Sequence, residues 1–243
     1  MQFQTSQAIS ISFHIMGSGF PILFLHGNGL SKQYFKRQTP LSDHFQLIFM
    51  DSRSHGKSTS SPTDFTFQEM ADDIEELLDY LAIRGCLIVG HSDGANLAMV
   101  YAHKYPKRIA GLLLNGGNLN MDGLFWPARL GIKLEQYFFK ILKNIWPTYT
   151  DKYRVAQLLS SNLPFDSNTF AQASYPVLVL VGQFDLIKPS HSKEMAELFP
   201  IHHFKIIPWT SHNIAPFHPK RFNQLIQDFY TEQLTHQDFK IMF

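Results

Sequence analysis

Short apolar runs alternate with longer amphipathic stretches along most of the chain. Ile22-Leu23-Phe24-Leu25, Leu47-Ile48-Phe49-Met50, Cys86-Leu87-Ile88-Val89, Ile109 to Leu114 and Val177-Leu178-Val179-Leu180-Val181 each stop at Gly, Asn, Asp or His. Runs of this length and closure read as strands buried on both faces. Ile9 to Ile15 alternates apolar and polar strictly and predicts a half-exposed strand; so little chain precedes it that any earlier strand is absent or a stub near Phe3. Phe204 to Ile207 predicts a last strand. Between the strands, Thr66 with Glu69 forms a capping box, and Phe67, Met70, Ile74, Leu77, Leu78 and Leu81 make one helical face. Further helices are expected from Ser31, over Asn96 to Ala102, from Ser190 to Leu198 and from Pro219, where Phe222, Leu225, Ile226 and Phe229 share a face. The pattern predicts the α/β class: a mostly parallel, doubly wound sheet of about seven to eight strands, with its ligand site beyond the carboxyl ends of the strands.

The alternation breaks once. Residues 119–172 contain no strand-like run, and Leu134, Tyr137, Phe138, Ile141, Leu142 and Ile145 form a helical stripe that ends before Pro147. The expected organisation is therefore a core of residues 1–118 and 173–243 with a helical cap inserted at 119–172. The insertion is aromatic, with Phe125, Trp126, Phe139, Trp146, Tyr149, Tyr153, Phe165 and Phe170. Such residues more often pack a cap onto its base than line a pocket. Phe125 and Trp126, with Gly29 from the core, are nevertheless candidates for contact with substrate.

Composition narrows the classes. Of 243 residues, 44% are hydrophobic and 17% charged, and the formal net charge of +1 gives no electrostatic case for nucleic acid. The single cysteine, Cys86, excludes an intramolecular disulfide and lies in a predicted core strand. The N-terminus lacks the basic start and apolar block of a secretory signal, and no apolar run approaches the roughly 20 residues of a membrane span. A cytoplasmic protein is the expectation. None of the 12 histidines falls in an H-E-x-x-H pattern.

Chemistry is concentrated at Gly90-His91-Ser92-Asp93-Gly94, where a buried strand gives way to a helix. This is G-x-S-x-G in the strand-to-helix context that gives the motif its meaning. A serine at so sharp a turn is expected at positive φ, with glycines leaving room for strand and helix to approach. The helix N-terminus offers unpaired N–H groups to negative charge. The bland alternative is a chance pentapeptide with Ser92 as a helix N-cap. A serine nucleophile needs a base and a group that orients the base. Asp185 and His212 each follow a predicted strand, so both belong on the edge that carries Ser92. His191, His202, His203, His218 and His236 fall within helices, at a strand entry or near the C-terminus. Two other loops open on that edge: His26-Gly27-Asn28-Gly29, either an ordinary turn or a loop presenting a bare N–H, and Asp51 to Ser58, whose Asp51 and Arg53 are expected to pin the loop.

With these residues in order, the chain resembles α/β-hydrolase-fold proteins over nearly its full length. His26-Gly27-Asn28-Gly29 is similar to the H-G-x-G oxyanion loop of that family; Asp51-x-Arg53-x-His55-Gly56-x-Ser58, the Ser92 pentapeptide, Asp185 and Ser211-His212 complete the pattern. The resemblance implies that Ser92 attacks an acyl carbonyl, His212 moves the proton and Asp185 orients His212, with the backbone N–H groups of Asn28 and Asp93 holding the oxyanion. It implies no metal and no organic cofactor. A serine where dehalogenases and epoxide hydrolases carry aspartate, and an oxyanion loop unlike the H-G-G-P-G of proline iminopeptidases, favour a carboxylic-ester hydrolase or a relative acting on thioesters or on C–C bonds next to a carbonyl. The substrate expected is a small to medium-sized ester or acyl compound with an apolar or aromatic part. A ligand-sensing protein that keeps the triad is the reading from another class. The oligomeric state is not legible.

Overall fold

The computed structural model describes residues 1–235, which leaves His236 outside the described residues. Eight strands are present: β1 (Gln2–Gln4), β2 (Ser10–Met16), β3 (Phe20–Leu25), β4 (Phe45–Met50), β5 (Cys86–His91), β6 (Ile109–Asn115), β7 (Val177–Phe184) and β8 (His202–Ser211). They form one sheet in the order β1-β2-β4-β3-β5-β6-β7-β8. β1 and β2 pair antiparallel, as do β2 and β4, and every other pairing is parallel. The short β1 carries Phe3 and pairs with β2.

Side chains alternate between the two faces of the sheet. Leu23, Leu25, Ile48, Met50 and Ile88 enter a core shared with α1 (Phe67–Tyr80), α2 (Asp93–Lys104) and α5 (Pro189–Glu197). Ile22, Phe24, Leu47, Phe49, Leu87 and Val89 enter a second core with Phe222, Ile226 and Phe229 of α7 (Pro219–Phe229). The central strands thus bury both faces, which is why they read as unbroken apolar runs. Cys86 is one of these core residues, and burial pushes its thiol up to about 12.

The capping box forms as the sequence predicts: the Thr66 hydroxyl accepts from Gln68 N and Glu69 reaches back to Thr66 N at 2.9 Å. Thr66→Ala is expected to lower stability by about 1 kcal/mol in urea unfolding. The helix expected from Ser31 is instead two 3-10 turns, Lys32–Phe35 and Thr39–Asp43. Pro40 lacks the N–H that a continuous helix would need there.

The Asp51–Ser58 loop is pinned as expected. The Asp51 carboxylate accepts from Lys32 N at 2.7 Å and Lys57 N at 2.9 Å and pairs with the Lys32 ammonium. Arg53 grips buried Asp73 of α1 through two bonds of 2.7 and 2.8 Å.

The segment between Leu119 and Leu163 begins and ends at one place, where Leu163 N donates to Leu119 O at 2.7 Å. Its two α-helices, α3 (Trp126–Ile145) and α4 (Thr150–Leu158), pack on each other, with Gln136 Nε2 of α3 donating to Ala156 O of α4 at 2.8 Å. After Leu163 the chain rejoins the core by packing, since Phe170 stacks on Phe199 with ring centroids 4.3 Å apart. The stripe of α3 is uncovered: the helix has no buried residue, and Leu134, Tyr137, Phe138, Ile141 and Ile145 are exposed. α3 packs on α4 and on the Pro147–Tyr149 turn, with Ala128 and Ile132 against Leu124, Val181 and Ile187, and the side that carries the stripe meets solvent.

Candidate active site

β5 ends at His91, and Ser92 follows at φ 54°, ψ −123°. That is a strained conformation for a residue with a Cβ. The turn is held by backbone: Ser92 N donates to Asn115 O of β6, and Ala95 N donates to Ser92 O, both at 2.8 Å. Ser92 makes no side-chain capping bond, so the N-cap alternative is set aside. The glycines are sterically required. A Cβ at Gly94 would lie 2.0 Å from Leu25 O, and one at Gly90 would lie 2.4 Å from Gly94 O. Either would force α2 away from the sheet.

Strand register brings the other two residues together. Phe184 of β7 pairs with Ser211 of β8, so Asp185 and His212 leave adjacent strand ends. Asp185 Oδ1 accepts from His212 Nδ1 at 2.7 Å and from Ile187 N at 3.1 Å, while Oδ2 accepts from Gly182 N at 3.1 Å. A carboxylate held by two backbone donors cannot swing, and its bond to Nδ1 leaves Nε2 as the basic nitrogen. Gly116, at φ 64°, forms the floor under the imidazole, where a Cβ would lie 2.8 Å from His212 Cε1. Ser92 and His212 line one cavity of about 390 Å³. Among the described residues no hydrogen bond joins the Ser92 hydroxyl to His212; contacts of this kind often tighten only around bound substrate. His91, whose ring centre is 4.7 Å from that of His212, stacks on Tyr34, and burial holds it neutral.

Asn28, Gly29 and Asp93 line the same cavity. As the first residue of α2, Asp93 has an N–H with no partner inside the helix. The Asn28 side chain is more engaged than sequence suggests: its amide donates to Asp93 Oδ2 at 2.8 Å and to Val155 O of α4 at 2.7 Å. Val155 O is free to accept because Leu159 N turns to Ala156 O at the frayed end of α4. One amide thus joins the β3 loop, the serine turn and the inserted segment. Burial pushes the Asp93 carboxyl up to about 6, against the opposing bond from Asn28. His26 is a backbone clamp: Nδ1 donates to Gly27 O at 2.8 Å and Nε2 accepts from Ser52 N at 3.1 Å, and burial holds it neutral by lowering its pKa to about 3.

The cavity walls are mostly apolar, with Leu124, Ile132, Leu159, Leu186 and Ile187, and carry two carboxyl groups, Asp93 beside the serine turn and Glu135 on α3. α3 contributes Ala128, Gly131, Ile132 and Glu135, one side of the helix at spacings of three and four. Phe125 and Trp126 lie outside the lining, 47% and 73% exposed, because the start of α3 turns them to solvent. Sequence reasoning passed over Ala128 and Gly131; their small size within a helix of bulky residues was the available signal. Among the described residues no cluster of three or more His, Cys, Asp or Glu could hold a metal ion, and no helix is long and apolar enough to cross a membrane.

A family model described as alpha/beta hydrolase fold matches residues 21–144, from β3 through the serine turn into α3. The chain belongs to the α/β hydrolase fold family. Within it, the chain is 37% identical over 101 residues to a putative non-heme haloperoxidase of Mycobacterium phage D29, a match covering 41% of this chain and 36% of that protein. The chain thus spans about a third of the length of the first curated relatives it matches. An sn-1-specific diacylglycerol lipase of Mus musculus is 24% identical over 86% of this chain and 80% of its own. Among solved structures, a thermophilic esterase from Thermogutta terrifontis superposes with a TM-score of 0.75 at 25% identity, covering 96% of this chain and 98% of that one. A protein of Mycobacterium tuberculosis shares the fold with a TM-score of 0.82 at 20% identity, over 96% and 99% of the two chains.

Proposed function

We propose that this α/β-hydrolase-fold protein is a serine hydrolase that cleaves a carboxylic ester, or a related thioester or acyl bond, of a small to medium-sized apolar or aromatic substrate. The observation that carries this reading is the 2.7 Å Asp185–His212 contact beside a strained Ser92 on one mostly apolar cavity. In this reading Ser92 Oγ attacks the acyl carbon while His212 Nε2 takes its proton, and the carbonyl oxygen becomes an oxyanion held by Asn28 N–H and Asp93 N–H. Collapse expels the alcohol, which takes the proton from His212, and leaves an acyl-enzyme at Ser92. Water, activated by the same imidazole, then releases the acid. Residues 119–172 act as the cap, and the chemistry calls for no metal or organic cofactor.

The test is intact-protein mass after an organophosphonate probe, on the parent and on Ser92→Ala, with hydrolysis of p-nitrophenyl esters of increasing chain length. The expected result is one adduct, absent from Ser92→Ala, and a chain-length optimum set by a cavity of about 390 Å³. An adduct with negligible turnover on every ester supports the ligand-sensing reading instead. No adduct at all overturns the assignment of Ser92.

A further inference from the structure

The outer side of α3 is the least explained surface of the molecule. Leu130, Leu134, Tyr137, Phe138, Ile141 and Ile145 follow one another at helical spacing, each between 41% and 65% exposed. Exposed stripes this long, on a helix with no buried residue, mark interaction surfaces. Its ends carry Trp126 and Trp146, 73% and 53% exposed.

Three observations say what covers it. First, the charges of α3 are Arg129, Lys133, Lys140 and Lys143 against Glu135 alone, and Glu135 is turned to the cavity. Arg129 is paired with Asp122, and Lys143 lies over the Tyr153 ring, which leaves Lys133 and Lys140 to border the stripe on the side away from the cavity. Two copies packed through this face would bring like charges together, whereas an anionic surface would complement them. Second, the mix of a Leu/Ile/Phe face, terminal Trp and flanking Lys on a helix unable to span a bilayer is that of a segment lying in a lipid interface. Third, the helix that carries the stripe also walls the cavity, through Ala128, Gly131, Ile132 and Glu135. Phe125 N, at the start of α3, donates to Leu186 O at 3.1 Å, and Leu186 is both 50% exposed and part of the cavity lining.

We infer that the outer side of α3 is a docking surface for an anionic lipid interface, which brings the cavity mouth to the edge of the apolar phase. The stripe enters the acyl region while Lys133 and Lys140 meet the headgroups. Docking does not depend on the hydrolase reading, although it gives that activity access to amphiphilic esters partitioned into lipid.

The test is flotation of the full chain with vesicles of phosphatidylglycerol and phosphatidylcholine mixed, and with vesicles of phosphatidylcholine alone. The expected result is co-flotation with the mixed vesicles, much weaker with phosphatidylcholine and weakened by salt. Lys133→Gln with Lys140→Gln should reduce affinity roughly 30-fold, about fivefold for each charge. Leu134→Glu with Ile141→Glu should abolish flotation while far-UV circular dichroism and the melting temperature hold, since neither position is buried. Absence of flotation by the parent overturns the proposal. So does a parent dimer in light scattering that the Leu134→Glu, Ile141→Glu variant converts to monomer without any parent uptake by vesicles, an outcome that assigns the stripe to a second copy of the chain.

Discussion

Replacing Ser92 with alanine lowers kcat on a p-nitrophenyl ester by about 10⁶, the loss typical when one member of a coupled triad is removed. The size of the effect is informative because the variant has little else to lose. Ser92 contributes no side-chain capping bond, and its strained φ of 54° is set by backbone bonds that alanine keeps. The melting temperature of Ser92→Ala is therefore expected to stay close to that of the parent. A rate within tenfold of the parent, measured on protein free of contaminating esterase, would place the nucleophile elsewhere. A large fall in melting temperature would mean that the hydroxyl supports the turn in a way the structure does not show.

Replacing Asp93 with asparagine is expected to stabilise the protein at pH 8 by about 3 kcal/mol and to do almost nothing at pH 3. Burial pushes the carboxyl from 3.8 up to about 6 in the folded chain. Between those values the folded state holds the proton more tightly than the unfolded state, so stability falls as pH rises from about 4 to 6, and the full cost persists above that range. A shift of about two pKa units corresponds to about 3 kcal/mol. Asparagine keeps one carbonyl oxygen for the Asn28 amide without the charge, which removes the ionisation cost at pH 8, and gives up only the longer 3.4 Å bond from Asn96. At pH 3 both residues are almost wholly neutral and the difference nearly vanishes. Urea unfolding of parent and variant at the two pH values measures this directly; an equal effect at both would exclude ionisation of Asp93 as its origin. The prediction also separates stability from function, because a buried anion next to the proposed oxyanion donors is a liability kept at the site and nowhere else in α2.

The sheet was legible because its central strands are buried on both faces: nothing but apolar residues can occupy Leu87-Ile88-Val89 between two helical layers. The positions of Ser92, Asp185 and His212 could be read because each directly follows a strand, which turns order in sequence into position along one edge. The outward stripe of α3 was not. Periodicity identifies an apolar side of a helix but is silent on what that side meets, and Leu134 and Ile141 have the pattern of core residues while facing solvent. Phe125 and Trp126 failed for a related reason, since chemistry suited to a pocket does not say which way the first turn of a helix points. The Asn28 amide escaped notice because its two partners, Asp93 and Val155, lie 65 and 127 residues away in the chain. Contacts of that separation belong to the fold and leave no local signature.

Through the hydrogen bond between Leu163 and Leu119, this scaffold could be rebuilt from one side. Because the core holds those two residues side by side, whatever connects them is a cassette, and doubling its length would cost only about 0.6 kcal/mol in closure entropy. A foreign helical hairpin spliced at these points inherits its anchorage from the sheet. It must bring of its own an apolar base in place of Val155 and Leu158, which are buried in the core, and a carbonyl positioned where Val155 now receives the Asn28 amide. Selectivity could then be exchanged by transplantation while Ser92, Asp185 and His212 stay untouched.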